Sequence, residues 1–404
     1  MVEVATDKMI DEQADCPICG SNSPRGFLLR GQVPIHQNLL MSNQAAAMDA
    51  PRGDLILAVC EDCGFIFNRA FDPTEVMYGV NYENTQACSP SFNEYMDKLV
   101  RHMVEERNVS DCQVVDVGCG NGLFLRKLVT YEGGRNRGIG FDPSYVGSDN
   151  ELDGRLRFVT RYYDAECADV PADVVVCRHV IEHVPRPLDL LQNIRRALAN
   201  SPGARVFFET PCVEWILRNR VIWDFFYEHC SYFTADSLRS AFQIAGFQVD
   251  NVEHVFEGQY LWLEATLAPN PNATIIKKPE PVRTLASEFG QSERVLKTTW
   301  QEAIKKLAKR EKIALWGAGA KGVTFANLIE PRPELIDCIV DLNPQKQGCY
   351  VPGSGHPIVS PEILGKRGVT TAFLMNQNYR HENLALLERL NLKVRLIDHY
   401  ESDN

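Results

Sequence analysis

The sequence has no excess of basic residues, since its 404 residues include 42 Lys and Arg against 53 Asp and Glu, for a net charge of −11. This balance argues against a nucleic-acid-binding surface. The sequence also lacks an apolar run long enough to cross a bilayer. Its first residues, up to Lys8, lack the apolar core of a signal peptide. We therefore expect a protein that binds neither nucleic acid nor membrane.

The cysteine content does not fit a disulfide scaffold. The chain has 13 cysteines, an odd number, and several of them lie inside apolar runs that look like buried strands. Free thiols of this kind are typical of a reducing compartment. The expected location is the cytoplasm, with at most a few cysteines used as metal ligands.

Two short cysteine motifs near the N-terminus predict a metal site. Cys16 and Cys19 form one Cys-x-x-Cys motif, Cys60 and Cys63 form a second, and each motif is followed by glycine. Four thiolates in this arrangement suit tetrahedral, structural Zn²⁺. The alternative is a redox dithiol, but such motifs usually occur singly in a βαβ unit. The sequence therefore predicts a zinc-binding domain over residues 1–72.

A glycine turn in the middle of the chain predicts a nucleotide-binding fold. The apolar run ending at Asp116 and Val117 is followed by Gly118, Gly120 and Gly122, and then by a helical pattern. Glycines allow a sharp turn and close approach of a ligand, and the helix N-terminus offers free N–H groups. This order of acid and glycines resembles motif I of class I methyltransferases that use S-adenosylmethionine (SAM). A dinucleotide fold would instead read Gly-x-Gly-x-x-Gly here.

Later apolar runs extend the same pattern. Asp142 ends the next predicted strand, about 20 residues after the turn, where a carboxylate can accept the two hydroxyls of a ribose. Another strand ends at His179, and two late segments, 246–249 and 261–267, suit a closing antiparallel hairpin. The resemblance implies SAM binding by the following residues: Asp116, Gly118, Cys119, Gly120, Asp142, Pro143 and His179.

An aromatic segment before that hairpin contains the best candidate for the chemistry. Here Phe226 and Tyr227 precede Glu228 and His229. The order of cysteine motifs, tyrosine-bearing connector, methyltransferase core, Glu-His pair and final Rossmann-like region is similar to the sugar C-methyltransferase family. This resemblance covers nearly the whole chain. It implies methylation, by SAM, of C3 of a nucleotide-linked 4-keto-deoxysugar.

The same resemblance assigns the catalytic residues. It places Glu228 and His229 as an acid–base pair and either Tyr82 or Tyr78 as the connector tyrosine. Members of the family often have Tyr-His-Glu-His, whereas Phe226 and Tyr227 occupy the first two places here. A base such as histidine can remove the proton beside a ketone, and a hydroxyl donor can stabilise the enolate. The same histidine could deprotonate a hydroxyl, so O-methylation stays open.

The C-terminal region carries a second glycine turn. Gly317, Gly319 and Gly322 form Gly-x-Gly-x-x-Gly between a predicted strand and helix, a pattern typical of NAD binding. The resemblance instead favours a domain that binds the nucleotide diphosphate of the substrate or no ligand. Lys321 adds a positive charge for a diphosphate, and Asn376 follows another strand of the same sheet. We list Gly317, Gly319, Lys321 and Asn376 as candidate substrate-binding residues.

Together these patterns predict an α/β protein with three folded regions. They are a zinc-binding domain (1–72), a class I methyltransferase domain (73–268) and a Rossmann-like α/β domain (311–404). Residues 269–310 form a linker and an amphipathic helix whose apolar stripe is expected to pack between domains. The alternative functions are an O-methyltransferase, an NAD(P)-dependent oxidoreductase using the second glycine turn, and a non-catalytic nucleotide-binding protein. Composition and motifs do not indicate an oligomeric state.

Overall fold

The computed structural model describes residues 15–76, 82–268 and 280–398. These residues form three β-sheets, one for each predicted region. Within them, no helix combines the length and apolar character needed to cross a membrane.

The N-terminal domain is a small antiparallel sheet. Its strands are β1 (Pro24–Pro34), β2 (Arg52–Cys60) and β3 (Ile66–Asn68), and helix α1 (Gln44–Met48) lies between β1 and β2. The sheet contains a fourth strand, which comes from far along the chain: Tyr232 pairs with Ile66 and Ser231 with Phe67. The predicted domain boundary at residue 72 therefore does not separate the two sheets completely.

The central domain is built on an eight-stranded sheet in the order β11-β12-β9-β8-β4-β5-β7-β6. Its strands are β4 (Gln113–Val117), β5 (Arg137–Phe141), β6 (Asn150–Glu151), β7 (Leu156–Val159), β8 (Val174–Arg178), β9 (Arg205–Pro211), β11 (Phe247–Val255) and β12 (Tyr260–Leu267). The shared strand of the N-terminal sheet is β10 (Ser231–Tyr232). Strands β4, β5, β7, β8 and β9 are parallel, and β12 is antiparallel to both of its neighbours. The predicted closing hairpin is thereby confirmed.

Helices cover both faces of this sheet. They are α2 (Pro90–Arg101), α3 (Leu123–Thr130), α4 (Pro187–Ala197), α5 (Val213–Arg218) and α6 (Ala235–Ile244). Local sequence explains where two of them begin. The Ser89 side chain caps α2, with proline at the first helical position, and Thr234 forms a reciprocal capping box with Ser237 at the start of α6. These caps set the residues at which α2 and α6 begin.

The C-terminal domain is a five-stranded parallel sheet in the order β15-β14-β13-β16-β17. Its elements are α7 (Glu280–Ala308), β13 (Ile313–Trp316), α8 (Ala320–Ile329), β14 (Ile336–Val340), β15 (Ile358–Val359), α9 (Leu364–Arg367), β16 (Thr371–Leu374), α10 (Arg380–Arg389) and β17 (Arg395–Ile397). A parallel sheet with helical crossovers is the Rossmann-like arrangement expected from the alternating pattern.

The apolar stripe of α7 packs between domains, as predicted. Phe289 lies 5.1 Å, centre to centre, from the ring of Phe225, and Trp300 lies 5.5 Å from Trp223. Both partners belong to the central domain. The same buried cluster includes residues of the N-terminal sheet and of the C-terminal sheet. The three regions therefore share a continuous core rather than being joined by linkers alone.

Candidate active site

The first glycine turn, residues 118–122, brings together most of the residues expected to bind a cofactor. Gly118 and Gly120 both have positive φ, and a Cβ on Gly118 would come within 2.3 Å of Val180. Only glycine fits this turn without strain. Asp142, at the end of β5, accepts a hydrogen bond from the Gly120 N–H at 2.8 Å. The turn and its acid are therefore adjacent, as the sequence predicted.

Two other predicted residues lie at this turn or directly before it. Asp116 is buried, and burial raises the pKa of its carboxyl to about 7, although the Arg178 guanidinium opposes the shift. The Cys119 sulfur packs against Gly140 of β5, since a Cβ there would lie 2.7 Å from it. Pro143 is exposed directly after Asp142. Cys119 thus packs the turn against β5, Asp116 is buried near the end of β4 just before the turn, and Pro143 lies at the surface after Asp142.

His179 is part of a buried ionic network at the end of β8. Its Nε2 lies 2.8 Å from Glu209 and its Nδ1 lies 3.2 Å from Glu182. Burial disfavours the charged ring, but these two carboxylates outweigh that effect and raise the pKa of His179 to about 9. Arg178 neutralises Glu209 further, at 2.8 Å. Both ring nitrogens are engaged by carboxylates, so any cofactor contact at this position falls to other atoms of the residue.

A cavity of about 280 Å³ lies where the three domains meet. The residues that were predicted to be functional and that line it are Tyr82, His179, Glu228, His229, Gly317, Gly319, Lys321 and Asn376. They come from regions almost 300 positions apart in the chain. Tyr78 lies outside the described residues. We call this space the shared cavity.

His229 has the properties of a base within the shared cavity. Its ring lies 4.1 Å from Phe226 and 4.7 Å from His183, and its Nδ1 has no hydrogen-bond partner among the described residues. Burial lowers the pKa of His229 well below 6.5, and the positive charges of neighbouring groups lower it further. The ring is therefore neutral near pH 7 and able to accept a proton. His183 also lines this cavity, although the His-Val-Ile-Glu-His run after β8 favours, from sequence alone, a loop-shaping and helix-capping role over an acid–base role.

Glu228 lies next to His229 in sequence, but its carboxylate is held by the N-terminal domain. One oxygen accepts a hydrogen bond from the Gln37 N–H at 2.8 Å. The other oxygen is 3.5 Å from Nδ1 of His36. Tyr82 lies on the same side, with its ring 6.3 Å from that of His36. The expected Glu-His pair thus lines one cavity, with the glutamate anchored to the N-terminal domain.

The second glycine turn, residues 317–319, faces the central domain across the shared cavity. Gly317 has a φ of +111°, and a Cβ on Gly322 would overlap the Gly317 carbonyl oxygen. Asp341 accepts a hydrogen bond from the Ala318 N–H at 2.7 Å. These contacts hold the turn tightly against the start of α8, which is the usual role of the third glycine.

Two lysines place positive charge beside this turn. Lys321 pairs with Asp224 at 2.8 Å and donates to Gln259 at 3.1 Å. Lys346 is buried and donates to the Ala318 carbonyl at 3.1 Å. Sequence reasoning missed Lys346 because it lies in a loop without a motif. Asn376 bonds to Gln259 as well, so the C-terminal domain contacts the site through several polar side chains.

The four N-terminal cysteines form a compact cluster away from the shared cavity. Their sulfur atoms all lie within 4.8 Å of one another, with 3.6 Å between Cys16 and Cys63 and 3.5 Å between Cys19 and Cys60. Thiolates bound tetrahedrally at the usual Zn–S distance are about 3.8 Å apart. The glycines after both motifs have positive φ. This donor set and spacing fit a zinc ion.

Comparisons with known proteins agree with this arrangement. Residues 91–252 match the model of a methyltransferase domain, and residues 276–392 match that of a C-methyltransferase C-terminal domain. The chain is 26% identical to C-methyltransferase NovU of Streptomyces niveus over 391 residues, which are 91% of this chain and 90% of the relative. It is 34% identical to the ubiquinone biosynthesis O-methyltransferase of Vibrio cholerae over 104 residues, 24% of this chain and 41% of that protein.

Solved structures are similar to part of the chain. One is magnesium protoporphyrin IX methyltransferase of Synechocystis with bound SAH, at 17% identity and a TM-score of 0.35, covering 44% of this chain and 84% of that one. Another is 1,6-didemethyltoxoflavin-N1-methyltransferase of Burkholderia thailandensis, at 16% identity and a TM-score of 0.32, covering 44% of this chain and 80% of that one.

Proposed function

We propose that this chain, which matches the models of a methyltransferase domain and of a C-methyltransferase C-terminal domain, uses SAM to methylate a ring carbon beside the ketone of a nucleotide-linked keto-deoxysugar. One observation carries the proposal. The shared cavity holds both His229, whose Nδ1 has no hydrogen-bond partner among the described residues and whose pKa is lowered by burial, and a Rossmann-like glycine turn with two nearby lysines. The histidine suits proton removal, and the turn with its lysines suits a diphosphate.

The first glycine turn and Asp142 are the proposed SAM site. We assign the Asp142 carboxylate to the ribose hydroxyls and the N–H groups at the start of α3 to the carboxylate of SAM; the hydrogen bond from the Gly120 N–H, which holds Asp142 beside the turn, supports this assignment. Asp116 and Cys119 remain proposed members of this site, and the Cys119 sulfur packs the turn against Gly140 of β5. SAM supplies an electrophilic methyl group on a sulfonium that is already a good leaving group.

His229 is the proposed base. It takes the proton from the carbon beside the ketone, and the electron pair of that C–H bond delocalises onto the ketone oxygen as an enolate. The enolate carbon then bonds to the methyl group as the methyl–sulfur bond breaks. The hydroxyl of Tyr82 or Tyr78 is the proposed donor to the enolate oxygen. Glu228 completes the acid–base pair from the adjacent wall of the cavity and holds the N-terminal domain in place there.

The C-terminal domain is proposed to bind the nucleotide diphosphate of the acceptor through Gly317, Gly319, Lys321 and Asn376. The competing interpretation is NAD binding by the same turn. Both ligands would use this turn, where Asp341 accepts a hydrogen bond from the Ala318 N–H as Asp142 does from Gly120 in the first turn. The titration with NAD⁺ and NADH described below separates the two interpretations.

The proposal is tested by the product. The protein is incubated with SAM carrying a ¹³C-methyl group and a dTDP-4-keto-deoxysugar, and the product is analysed by NMR. A methyl signal coupled to a ring carbon is expected. A methyl signal on oxygen would support O-methylation instead. Separate calorimetric titrations with SAM, NAD⁺ and NADH are expected to show binding of SAM only; binding of a nicotinamide cofactor without SAM would support an oxidoreductase.

Asp142→Asn is expected to weaken SAM binding about 10- to 100-fold, because a charge-assisted hydrogen bond contributes about 1.5–3 kcal/mol. The amide oxygen can still accept from Gly120, so the turn should persist. Calorimetric titration measures the change, and Asp149→Asn, at an exposed position on the same loop, is the matched control. Equal SAM affinity in both variants would remove Asp142 from the cofactor site.

We also propose that Cys16, Cys19, Cys60 and Cys63 hold a structural Zn²⁺. The sulfur geometry described above supports this, and no chemistry at the shared cavity depends on the ion directly. All 13 cysteines are unpaired thiols. Their state is the basis for placing the protein in a reducing environment such as the cytoplasm.

A further inference from the structure

The segment that carries the proposed base belongs to the central domain but is held by hydrogen bonds from the N-terminal domain. We call residues 222–232 the catalytic segment. Arg30, on β1 of the N-terminal domain, donates from Nη1 to the Phe225 carbonyl at 2.8 Å and from Nη2 to the Ile222 carbonyl at 2.6 Å. Its Nε donates to Glu293 of α7 at 2.6 Å. One guanidinium thus joins β1, the catalytic segment and α7.

This guanidinium is buried, with only 6% of the residue exposed. A buried charge is costly unless its donors are paired, and here three nitrogens each have a partner. Arginine suits the position because its planar fork can reach two carbonyls and a carboxylate at once. The compact ammonium group of lysine cannot reproduce this geometry.

Other contacts from the N-terminal domain hold the remaining length of the catalytic segment. Strand β10 pairs with β3, and the Asn68 N–H donates to the Cys230 carbonyl at 2.9 Å. The hydroxyl of Tyr227 accepts a hydrogen bond from the Asp72 N–H at 2.9 Å. The ring of Tyr227 lies on Gly53, where a Cβ would come within 2.5 Å of it. His229 therefore lies between two points fixed by the N-terminal domain.

On the central-domain side, the same segment has a separate attachment. The Cys230 N–H donates to the Glu182 carbonyl at 2.9 Å, in the turn that also carries His183. The position of His229 relative to His183 thus depends on both domains. A displacement of about 1 Å in a reacting group can cost roughly 100-fold in rate.

We infer that Arg30 is a positioning residue for methyl transfer: it fixes the catalytic segment so that His229 meets the acceptor in the shared cavity. The inference rests on the proposed role of His229. Arg30 acts through the carbonyls of Ile222 and Phe225 and is not among the residues that line the shared cavity. The N-terminal domain is accordingly part of the active site's framework rather than an independent module.

The test compares Arg30→Met and Arg30→Lys with Arg25→Met, a matched control at an exposed position of the same strand. For Arg30→Met we expect kcat to fall about 10- to 100-fold while the Kd of SAM stays within twofold. Hydrogen exchange of the backbone amides of residues 225–232 should become faster, with exchange in β4 and β5 unchanged. Arg30→Lys should recover part of the rate, and Arg25→Met should match the wild type.

Two outcomes would overturn the inference. One is an Arg30→Met protein that has a lower melting temperature but an unchanged kcat and unchanged exchange of residues 225–232 at a permissive temperature. The other applies if Arg30→Met does not fold: an Arg30→Lys protein with wild-type kcat and exchange would then exclude a positioning role. Measuring His229→Asn in parallel separates the two proposals. Wild-type turnover in His229→Asn would contradict the assignment of His229 as the base. If His229→Asn loses turnover while Arg30→Met keeps it, only the positioning role of Arg30 is contradicted.

Discussion

Replacing His229 by Asn is expected to lower kcat by about two to four orders of magnitude, which is the usual contribution of a positioned general base. The amide fills part of the volume of the imidazole and keeps its polarity, but it cannot take a proton near neutral pH. SAM binding should be unchanged, because the first glycine turn and Asp142 lie on other strands of the sheet. Single-turnover kinetics and calorimetric titration with SAM separate the two effects.

His254→Asn is the matched control for this experiment. His254 is exposed on β11, away from the shared cavity, and its replacement should leave kcat unchanged. If His229→Asn kept the wild-type rate, His229 would be removed from the mechanism. If both variants lost the rate equally, the loss would reflect a general effect of histidine replacement on the fold.

The pH dependence of kcat/KM gives an independent test of the role of His229 as a base. Burial, together with the neighbouring His183, His179 and Lys321, holds the pKa of His229 well below 6.5. A base works in its unprotonated form, so activity should persist below pH 6.5 and be lost only as the pH falls through the lowered pKa. An acid limb at or above pH 6.5 that persists in His229→Asn would have to come from another group.

The sequence predicted the parts of this fold that depend on local pattern. The glycine turn at residues 118–122, the acid at position 142 and the closing hairpin follow from strand-to-helix spacing and hydrophobic periodicity. The second turn, with Gly317 and Gly322, is recognisable for the same reason. In each case the residues that define the element are close in sequence, so the pattern that predicts the element lies within the segment that forms it.

The meeting of the three domains could not be predicted in this way. The partners of Arg30 lie 192, 195 and 263 positions away, and no local pattern identifies them. The two-residue strand β10 is too short to give a periodic signal, yet it adds a segment of the central domain to the N-terminal sheet. The direction of the Glu228 carboxylate, towards Gln37, depends on this packing. The sequence therefore indicated several of the residues that line the shared cavity, but not which domain holds each of them.

The second large effect is expected from Cys60→Ser. Cys60 is the last residue of β2, and its sulfur lies 3.5 Å from that of Cys19, so the substitution removes one of four closely spaced ligands. Structural zinc contributes about 10–16 kcal/mol of apparent binding free energy in small domains. Loss of even part of that energy should lower the melting temperature by about 10 °C or more. Metal analysis should show clearly less than one zinc ion per chain.

The effect of Cys60→Ser should not stay within the cysteine cluster, because the sheet that contains β2 continues through β3 to β10. Loosening that sheet loosens the catalytic segment, so we expect faster amide exchange at residues 225–232 as well as lower stability. Cys349→Ser, a partly exposed thiol in the C-terminal domain, is the matched control and should retain zinc and stability. A Cys60→Ser protein that lacks zinc but unfolds at the wild-type temperature would contradict the zinc assignment. A Cys60→Ser protein that is destabilised but has unchanged amide exchange at residues 225–232 would show that β3 and β10 do not transmit the loss of stability to the catalytic segment. Arg30 would then be the main link between the N-terminal domain and that segment.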